Sequence, residues 1–385
     1  MNPVFADLPT SIFEEMSALA RQHEAINLGQ GFPDDPGPED VRRKAADAVV
    51  NGWNQYPPML GIPELRQAVS DHYARHQGLA IDPASEVMIT SGATEALAGA
   101  MLALLSPGDE AVLFEPAYDA YLPLVRRAGG VPKFIKLAPP DWRYSAAQLK
   151  AAITPKTRVV LLNNPLNPAG AVYGEADLML LAEALAGTDA IVVADEVWEH
   201  VMFDGRRHVS VLNIPGLRER SVKIGSAGKI FCLTGWKVGL VVAAPPILKQ
   251  LARAHQFITF TTPPNLQVAV AYGLGKTDDY FTGMRAGLQA SRDHLAQGLT
   301  GAGFSVLPSQ ATYFLNVDLA PLGVADDTAF CRRLVAEAGV AAIPVSALYA
   351  DGSMRSVIRF CFAKTAATLD EALRRVTAAV PRLAR

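Results

Sequence analysis

The sequence predicts an α/β fold in which helices cover a mostly parallel β-sheet. Apolar, β-branched segments typical of buried strands recur between residues 86 and 243, and helical patterns lie between most of them. Such alternation is typical of β-α-β units, whose strands run parallel. Half of the 385 residues are hydrophobic and 19% are charged, so the chain has enough apolar side chains for a large core.

The strand pattern is found in seven segments: Glu86–Thr90, Glu110–Glu115, Lys133–Leu137, Thr157–Asn163, Ala190–Asp195, Ser221–Gly225 and Gly239–Ala243. Helical patterns cover Ser11–His23, Glu95–Leu105, Tyr118–Arg127, Ala146–Ala151 and Glu175–Ala186, and a helix-rich stretch runs from Ile247 to Leu299. The sequence therefore predicts a large domain with a seven-stranded sheet.

After Gly303 the order of the predicted elements changes. It reads strand, strand, helix, strand, helix, at Phe304–Leu307, Tyr313–Val317, Asp327–Ala338, Val357–Cys361 and Leu369–Ala379. This order is typical of a smaller α+β domain. We predict an N-terminal segment of residues 1–40 that joins the small domain, a large domain of residues 41–285, and a C-terminal α+β domain of residues 286–385.

Composition and charge argue against several classes of protein. The net charge is −3 and the basic residues are scattered, which argues against binding to nucleic acid or a membrane surface. The N-terminal stretch MNPVFADLPTSIFEEM lacks the features of a secretory signal, and no apolar run is long enough to span a bilayer. Three cysteines, odd in number and far apart, favour a reducing cytoplasm, and no Cys or His spacing predicts a metal site.

The stretch from Ser221 to Leu240 contains a lysine in apolar surroundings. Lys229 follows a short strand pattern, and the residues after it are Ile, Phe, Cys and Leu. Burial lowers the pKa of a lysine, and only the neutral amine is a nucleophile. With Ser226 and Lys237 on either side, these residues suit a small molecule that carries an aldehyde and a phosphate. A P-loop is excluded, because the glycines are too close together and Ile230 follows the lysine.

The sequence S-A-G-K-I-F-C-L-T-G-W-K-V-G in this stretch resembles the cofactor-lysine signature of class I and II aminotransferases, the fold type I enzymes that use pyridoxal 5′-phosphate (PLP). Further motifs follow in the family's order along the whole chain. The resemblance implies that PLP is bound through Lys229, with Ser226 and Lys237 among its contacts. The motifs G-Q-G-F-P-D, S-A-G-K and I-R-F-C-F are most similar to the kynurenine, glutamine and methionine aminotransferase branch, which includes cysteine-S-conjugate β-lyases.

Residues 90–95, T-S-G-A-T-E, follow a predicted strand and open a helix rich in alanine and leucine. Free backbone N–H groups and the positive helix end make such a place an anion site, and small residues let a phosphate come close. A plain strand-to-helix turn has the same sequence features. By resemblance, Gly92, Ala93 and Thr94 contact the phosphate of the cofactor.

Asp195 ends an apolar predicted strand, where a carboxylate is costly without a cationic partner. A helix-capping aspartate is the alternative. The resemblance implies that Asp195 keeps the pyridinium nitrogen of PLP protonated, and that Asn167 donates a hydrogen bond to the ring oxygen. Trp198 stands where the family usually has a tyrosine that donates to the same oxygen, and an indole offers only an N–H.

Arg359 lies inside an apolar strand pattern near the end of the chain. Arginine is rarely buried without an anion, and its planar guanidinium suits two hydrogen bonds to a carboxylate. The anion is either an internal acid or a substrate. By resemblance, Arg359 binds the α-carboxylate of the substrate, which also approaches the backbone of Gly31.

Five aromatic or amide side chains complete the site that the resemblance implies. Tyr118 stacks on the cofactor ring, Asn163 lies near the substrate, and Phe13 lies beside the substrate side chain. Core packing is the alternative for Tyr118. Tyr56 and Phe260 match positions that serve the neighbouring subunit, so the resemblance implies a homodimer with shared active sites.

The predicted function is PLP-dependent transamination, in which the amino group of an L-amino acid passes to a 2-oxo acid. An aromatic-rich pocket without a second arginine favours methionine, glutamine or aromatic donors over aspartate. Two alternatives stay open: β-elimination from cysteine S-conjugates, which starts from the same carbanion, and a PLP-binding regulatory protein. The expected partners are these small molecules and a second copy of the chain, with no nucleic acid and no membrane.

Overall fold

A computed structural model describes residues 2–6 and 8–383, and it confirms the predicted α/β class. Its strands are β1 Ile26–Asn27, β2 Val87–Thr90, β3 Glu110–Glu115, β4 Val131–Lys136, β5 Thr157–Asn163, β6 Ile191–Asp195, β7 Ser221–Ser226, β8 Gly239–Ala243, β9 Ser305–Val306, β10 Phe314–Asp318, β11 Val340–Ala341, β12 Ile343–Pro344 and β13 Val357–Cys361. Its helices are α1 Pro3–Ala6, α2 Ile12–Gln22, α3 Glu39–Asn51, α4 Pro63–Gln77, α5 Ala93–Leu104, α6 Tyr121–Arg127, α7 Ala146–Ala152, α8 Glu175–Ala184, α9 Ala227–Ile230, α10 Pro245–Ile258, α11 Pro264–Leu274, α12 Asp278–Gly301, α13 Asp327–Arg333 and α14 Ala366–Leu383.

The central sheet of the described residues has seven strands in the order β2-β8-β7-β6-β5-β3-β4. Strand β8 is antiparallel to both of its neighbours, and the strands from β7 to β4 pair in parallel. The carboxyl ends of the parallel strands therefore meet at one edge of the sheet. Ligands of α/β folds bind at this edge.

Strand β5 shows why the central strands read as continuous apolar runs. Val159 and Leu161 pack into the apolar cluster on one side of the sheet, whereas Val160 and Leu162 pack into the cluster on the other side. Successive side chains of a strand point to opposite faces, so a strand with helices on both faces must be apolar at every position. The large core of the protein thus lies on both sides of the sheet.

A second, antiparallel sheet has the order β12-β13-β10-β9. The N-terminal part of the chain joins this region, because Ile26 in β1 pairs in parallel with Val340 in β11. Met16 and Leu28 also share an apolar cluster with the strands of the second sheet. These contacts support the predicted union of residues 1–40 with the C-terminal part, and the exact domain bounds stay a prediction.

Several element bounds differ from the prediction. The helix predicted from Asp327 to Ala338 is α13 followed by a wider, π-helical turn at Leu334–Ala338, in which Leu334, Val335 and Ala338 are buried. The helix predicted from Tyr118 begins at Tyr121, whose N–H donates to the Tyr118 carbonyl in a turn. No described helix has the length and apolar character that crossing a membrane requires.

Candidate active site

A cavity of about 420 Å³ lies where the carboxyl ends of the parallel strands face strand β13 and the start of α2. Fourteen predicted site residues line it: Phe13, Gly31, Gly92, Ala93, Thr94, Tyr118, Asn163, Asn167, Asp195, Trp198, Ser226, Lys229, Lys237 and Arg359. Tyr56 and Phe260 are not among the lining residues. The fold thus brings together residues that are far apart in the sequence, and their individual roles stay predictions.

Lys229 lies in α9, the short helix that follows β7. Burial lowers the pKa of its amine to about 8. The Nζ atom lies 3.4 Å from the carbonyl oxygen of Gly31 and 4.7 Å from the ring centre of Trp198. At neutral to mildly alkaline pH a useful fraction of this amine is neutral, which a nucleophile or a general base requires.

The start of α5 forms an anion site with a cation beside it. Gly92 is the N-cap of this helix and makes no side-chain cap, so the first N–H groups of the helix lack intrahelical acceptors. Gly92 has φ +83°, and a Cβ there would lie 3.0 Å from Cε of Lys237. Lys237 itself has a left-handed backbone with φ +53°, and the hydroxyl-bearing Ser226 lines the same cavity. The positive end of the α5 dipole, the Lys237 ammonium and the Ser226 hydroxyl together suit the binding of a phosphate.

Asp195 is buried at the end of β6, and burial raises the pKa of its carboxyl. The hydroxyl of Tyr121 donates to Oδ2 at 2.6 Å, and the N–H of Val197 donates to Oδ1 at 3.3 Å. Sequence analysis missed Tyr121, although its spacing from Tyr118 places the two rings near each other, with centres 5.6 Å apart. A cationic ring nitrogen would offset the cost of this buried carboxylate.

Arg359 is buried in β13 without an acid partner among the described residues. It donates from Nη2 to the Gly29 carbonyl at 2.7 Å and from Nη1 to Oδ1 of Asn167 at 3.0 Å, and its Nε has no partner. Burial lowers the pKa of this guanidinium to about 10. The internal salt bridge that the sequence left open is therefore absent from the described residues, and the cavity can supply an anion from outside.

Phe314 is a second residue that sequence analysis missed. Its ring lies 3.8 Å from Cζ of Arg359, and a Cβ on Gly31 would approach its Cζ to 2.6 Å. A glycine at position 31 thus lets the backbone lie against the aromatic ring that supports the arginine. No local sequence signal indicates this contact, because Phe314 reads as an ordinary core residue of an apolar strand.

The two predicted asparagines differ in how their side chains are used. Asn163 donates from Nδ2 to the Asp195 carbonyl at 2.9 Å and accepts the Asn167 N–H at 2.7 Å. Both of its polar atoms therefore hold the loop after β5 against the end of β6. Asn167 uses Oδ1 for Arg359, so it links the cofactor-side residues to the predicted substrate arginine.

The Trp198 ring is buried against two aromatic side chains. Its centre lies 4.8 Å from that of Tyr313 and 5.5 Å from that of Phe314, both at steep interplanar angles. The hydroxyl of Tyr313 donates to the Lys229 carbonyl at 3.1 Å. The tryptophan is thus part of an aromatic wall beside the lysine.

Outside the cavity, Tyr56 and Phe260 pack edge to face with their ring centres 5.6 Å apart. Each has an exposed aromatic residue three positions before it in the sequence: Trp53 is 70%, Tyr56 81% and Phe257 86% exposed. We call these four residues the aromatic patch. Exposed aromatic side chains in such a cluster are typical of an interface.

Beneath the cavity, Glu196, Glu199 and His208 come close enough to hold a metal ion. The ammonium of Lys223 already lies 2.6 Å from a carboxylate oxygen of each glutamate. Nε2 of His208 donates to a carboxylate oxygen of Glu196 at 2.9 Å. A lysine therefore neutralises this acidic group in the place that a cation would take.

The cavity fits the cofactor that the resemblance predicts. Gly92, Ser226 and Lys237 would hold the phosphate, Lys229 would bind the aldehyde carbon, and Asp195 would pair with the ring nitrogen. The fit rests on the donor set: an uncapped helix start, an amine with a lowered pKa, and a buried carboxylate that lacks a cation.

The chain is similar to known proteins over almost its whole length. The family model described as aminotransferase class I and II matches residues 23–376. A methionine aminotransferase of Escherichia coli K12 is 42% identical over 369 residues, which cover 96% of each chain. Kynurenine–oxoglutarate transaminase 1 of Rattus norvegicus is 34% identical over 403 residues, with 95% of each chain covered. The solved N-succinyldiaminopimelate aminotransferase of Mycobacterium tuberculosis superposes with a TM-score of 0.95 at 42% identity, covering 98% of this chain and 99% of that one.

Proposed function

The chain belongs to the class I and II aminotransferase family, and from this premise we propose how its residues carry out PLP-dependent transamination. When bound, PLP supplies a reactive aldehyde and a ring that accepts electrons from the substrate. The proposal is supported above all by one observation. A single cavity holds a lysine with its pKa lowered to about 8, a buried aspartate, and a buried arginine that has no acid partner among the described residues.

Each of these side chains has a distinct task in the proposal. Arg359 binds the α-carboxylate of the amino acid and orients its Cα towards Lys229. With the cofactor bound, the neutral Nζ of Lys229 would be the base that takes the proton from Cα and carries it for the rest of the reaction. Asp195, held by Tyr121, keeps a proton on the ring nitrogen. Gly92, Ala93, Thr94, Ser226 and Lys237 hold the phosphate, and Tyr118, Asn167 and Trp198 position the ring.

The proposed substrates are amino acids with uncharged side chains, of the methionine, glutamine or aromatic type. Phe13 and Tyr118 offer aromatic surface in the cavity, and Gly31 and Asn163 lie on the substrate side. The Escherichia coli relative is named a methionine aminotransferase and the Rattus norvegicus relative a kynurenine transaminase. The two alternatives from the sequence, β-elimination and a regulatory role, gain no support from these comparisons.

A panel of donors and acceptors with purified, PLP-loaded protein tests the function. We expect 2-oxo acid formation from methionine, glutamine or an aromatic amino acid, with little pyruvate from a cysteine S-conjugate. Reduction with borohydride followed by peptide mapping should place the cofactor on Lys229. An adduct on another lysine, or pyruvate as the main product, would contradict the proposal.

The proposed assembly is a homodimer whose subunits share their active sites. The aromatic patch supplies exposed apolar surface, and Tyr56 and Phe260 within it lie outside their own chain's cavity. Mixing Lys229→Ala protein with Tyr56→Phe/Phe260→Ala protein should restore activity through hybrid dimers once the subunits have exchanged. A monomer with full activity at assay concentration would refute the arrangement.

We also place the protein in the cytoplasm as a proposal. Cys232, Cys331 and Cys361 are all free thiols, as a reducing compartment favours. Fractionation of the source cells should recover the activity with cytoplasmic marker enzymes. Recovery of the activity with an oxidising compartment would overturn the proposed cytoplasmic location.

A further inference from the structure

The cavity contains three cationic side chains, and the proposed function uses all of them. Lys229 serves the chemistry, Lys237 the phosphate and Arg359 the α-carboxylate, and no other Lys, Arg or His of the described residues lines the cavity. A substrate with a second carboxylate would need a further cation, because a carboxylate that loses water without a partner is strongly disfavoured.

Two acids line the mouth of the cavity beside α2 instead. Glu14 lies in the first turn of α2 and forms a salt bridge with Arg21 at 2.7 Å. Asp119 follows Tyr118 and accepts a hydrogen bond at Oδ2 from Oγ of Ser11, the N-cap of α2, at 2.9 Å. Within the described residues Asp119 forms no salt bridge, and its side-chain hydrogen bond goes to the hydroxyl of Ser11.

Asp119 lines the same cavity as the proposed carboxylate site at Arg359. The guanidinium of Arg359 lies 5.0 Å from the ring centre of Phe13, whose N–H donates to Ser11 Oγ at 3.3 Å. The same Oγ donates to Asp119, so Phe13 and Ser11 connect the proposed carboxylate site to Asp119. Burial lowers the pKa of Arg359 and the Asp119 carboxylate opposes the shift, so the two charges are within electrostatic reach of each other.

The stretches around Tyr56 and Phe260, which are predicted to serve the neighbouring subunit, are rich in aromatic side chains. Residues 51–60 read N-G-W-N-Q-Y-P-P-M-L, and residues 256–262 read Q-F-I-T-F-T-T. Neither stretch contains an acid, a lysine or an arginine.

We propose that Asp119 is a specificity-determining residue, whose carboxylate excludes donors and acceptors with a second carboxylate. The inference rests on the proposed transamination and narrows its substrates to monocarboxylic amino acids and 2-oxo acids. Repulsion between like charges across a partly solvated cavity is worth about a factor of ten in binding. Glutamate, aspartate and 2-oxoglutarate are therefore poor substrates for this chain.

The experiment uses the PLP-loaded protein and two non-reacting ligands that differ by one carboxylate, glutarate and pentanoate. Calorimetry measures the ratio of their dissociation constants, and kinetics measures the ratio of kcat/KM for glutamate and methionine. Asp119→Asn removes the charge and keeps an oxygen that can accept from Ser11. Ser11→Ala removes that hydrogen bond and keeps the charge, so it is the matched control.

In Asp119→Asn, binding of glutarate relative to pentanoate and use of glutamate relative to methionine should both improve about tenfold. Ser11→Ala should leave both ratios within about twofold, and Glu14→Gln should change them less than Asp119→Asn because Arg21 already neutralises Glu14. Added salt should improve glutarate binding in the wild type more than in Asp119→Asn.

Unchanged ratios in Asp119→Asn, or an equal change in Ser11→Ala, would overturn the inference. The proposed function is judged separately, because the binding ratio needs no turnover. Loss of oxo acid formation from every donor, with the glutarate effect of Asp119→Asn still present, would refute the proposed function and support the role of Asp119.

Discussion

Two lysines, one in strand β7 and one just after it, have similar aromatic surroundings and opposite electrostatic ones. The Nζ atom of Lys223 lies 4.5 Å from the ring centre of Tyr73, and that of Lys229 lies 4.7 Å from the ring centre of Trp198. Lys223 also contacts carboxylates of Glu196 and Glu199 at 2.6 Å. The hydrogen bond of Lys229 goes to a carbonyl oxygen instead.

The difference in partners decides the protonation of the two amines. Burial disfavours the ammonium of Lys223, yet Glu196 and Glu199 outweigh that effect and raise its pKa. For Lys229 burial prevails, and its pKa falls to about 8. A buried lysine is thus not reactive in itself; the acids packed against it determine whether it serves as a structural cation or a base.

The largest expected effect comes from removing the reactive member of the pair. Lys229→Ala should lower kcat by about 10³-fold, because a positioned general acid–base contributes roughly 10²- to 10⁴-fold. Gly92 and Lys237 remain to hold the phosphate, so the variant should still retain PLP through gel filtration. Turnover close to that of the wild type would contradict the role assigned to Lys229.

Removing the structural member should affect stability instead. Lys223→Met leaves Glu196 and Glu199 buried without their cation, so the free energy of unfolding should fall by about 3–5 kcal/mol in urea titrations. Lys223→Met/Glu196→Gln/Glu199→Gln removes the acids as well and should recover part of that loss. An unchanged free energy of unfolding in the single variant would mean that the contacts of Lys223 with Glu196 and Glu199 do not stabilise the fold.

The acid side of the same cluster predicts a pH dependence of stability. Burial opposes the charge of Glu196, yet Lys223 and His208 hold its pKa at about 2, below the usual glutamate value of 4.5. Because the folded pKa is depressed, the contribution is present above pH 4.5 and is lost as the pH falls towards 2. The triple variant should lose less stability over this range, and equal losses in the two proteins would refute the assignment.

The contrast also predicts how the two amines react in protein freed of PLP. Acylation of Lys229 by a small reagent should rise with pH around a midpoint near 8, since only the neutral amine reacts. Lys223 should stay unlabelled in the folded protein. Peptide mapping measures both rates, and a Lys229 midpoint near the usual lysine value of 10.5 would contradict the lowered pKa.

The smallest expected effect concerns the ring beside the reactive lysine. Trp198→Tyr offers a hydroxyl donor to the cofactor's ring oxygen and so stabilises the deprotonated form of the bound cofactor. The pKa of the bound cofactor, measured from its visible absorption spectrum, should therefore fall by less than about one pH unit. Trp198→Phe has no donor and serves as the control. An equal or higher pKa in the tyrosine variant would show that the indole N–H already donates there.

Local sequence patterns were sufficient to predict a functional residue where that residue ends a strand or opens a helix. The predicted bounds of β3, β5 and β8 agree with the structure, because the buried apolar runs of β3 and β5 end at polar residues and that of β8 is followed by two prolines. Asp195 and Ser226 follow from the same rule, since the ends of neighbouring strands meet at one edge of the sheet. The two-residue strands β1, β11 and β12 were missed, because two residues carry no period, whereas β9 lies within the strand predicted at Phe304–Leu307.

The sequence by itself determined the α/β class, and it indicated four of the charged side chains that line the cavity: Asp195, Lys229, Lys237 and Arg359. Only the tertiary structure added Glu14 and Asp119 to the lining and decided which charges are compensated: Tyr121 donates to Asp195, Lys223 pairs with Glu196, and Arg359 lies on Phe314 without an acid partner among the described residues. These contacts join elements that are distant in the chain and depend on how the second sheet packs against the first. Local periodicity predicts which face of a helix or strand is buried, and it does not predict which residues that face contacts.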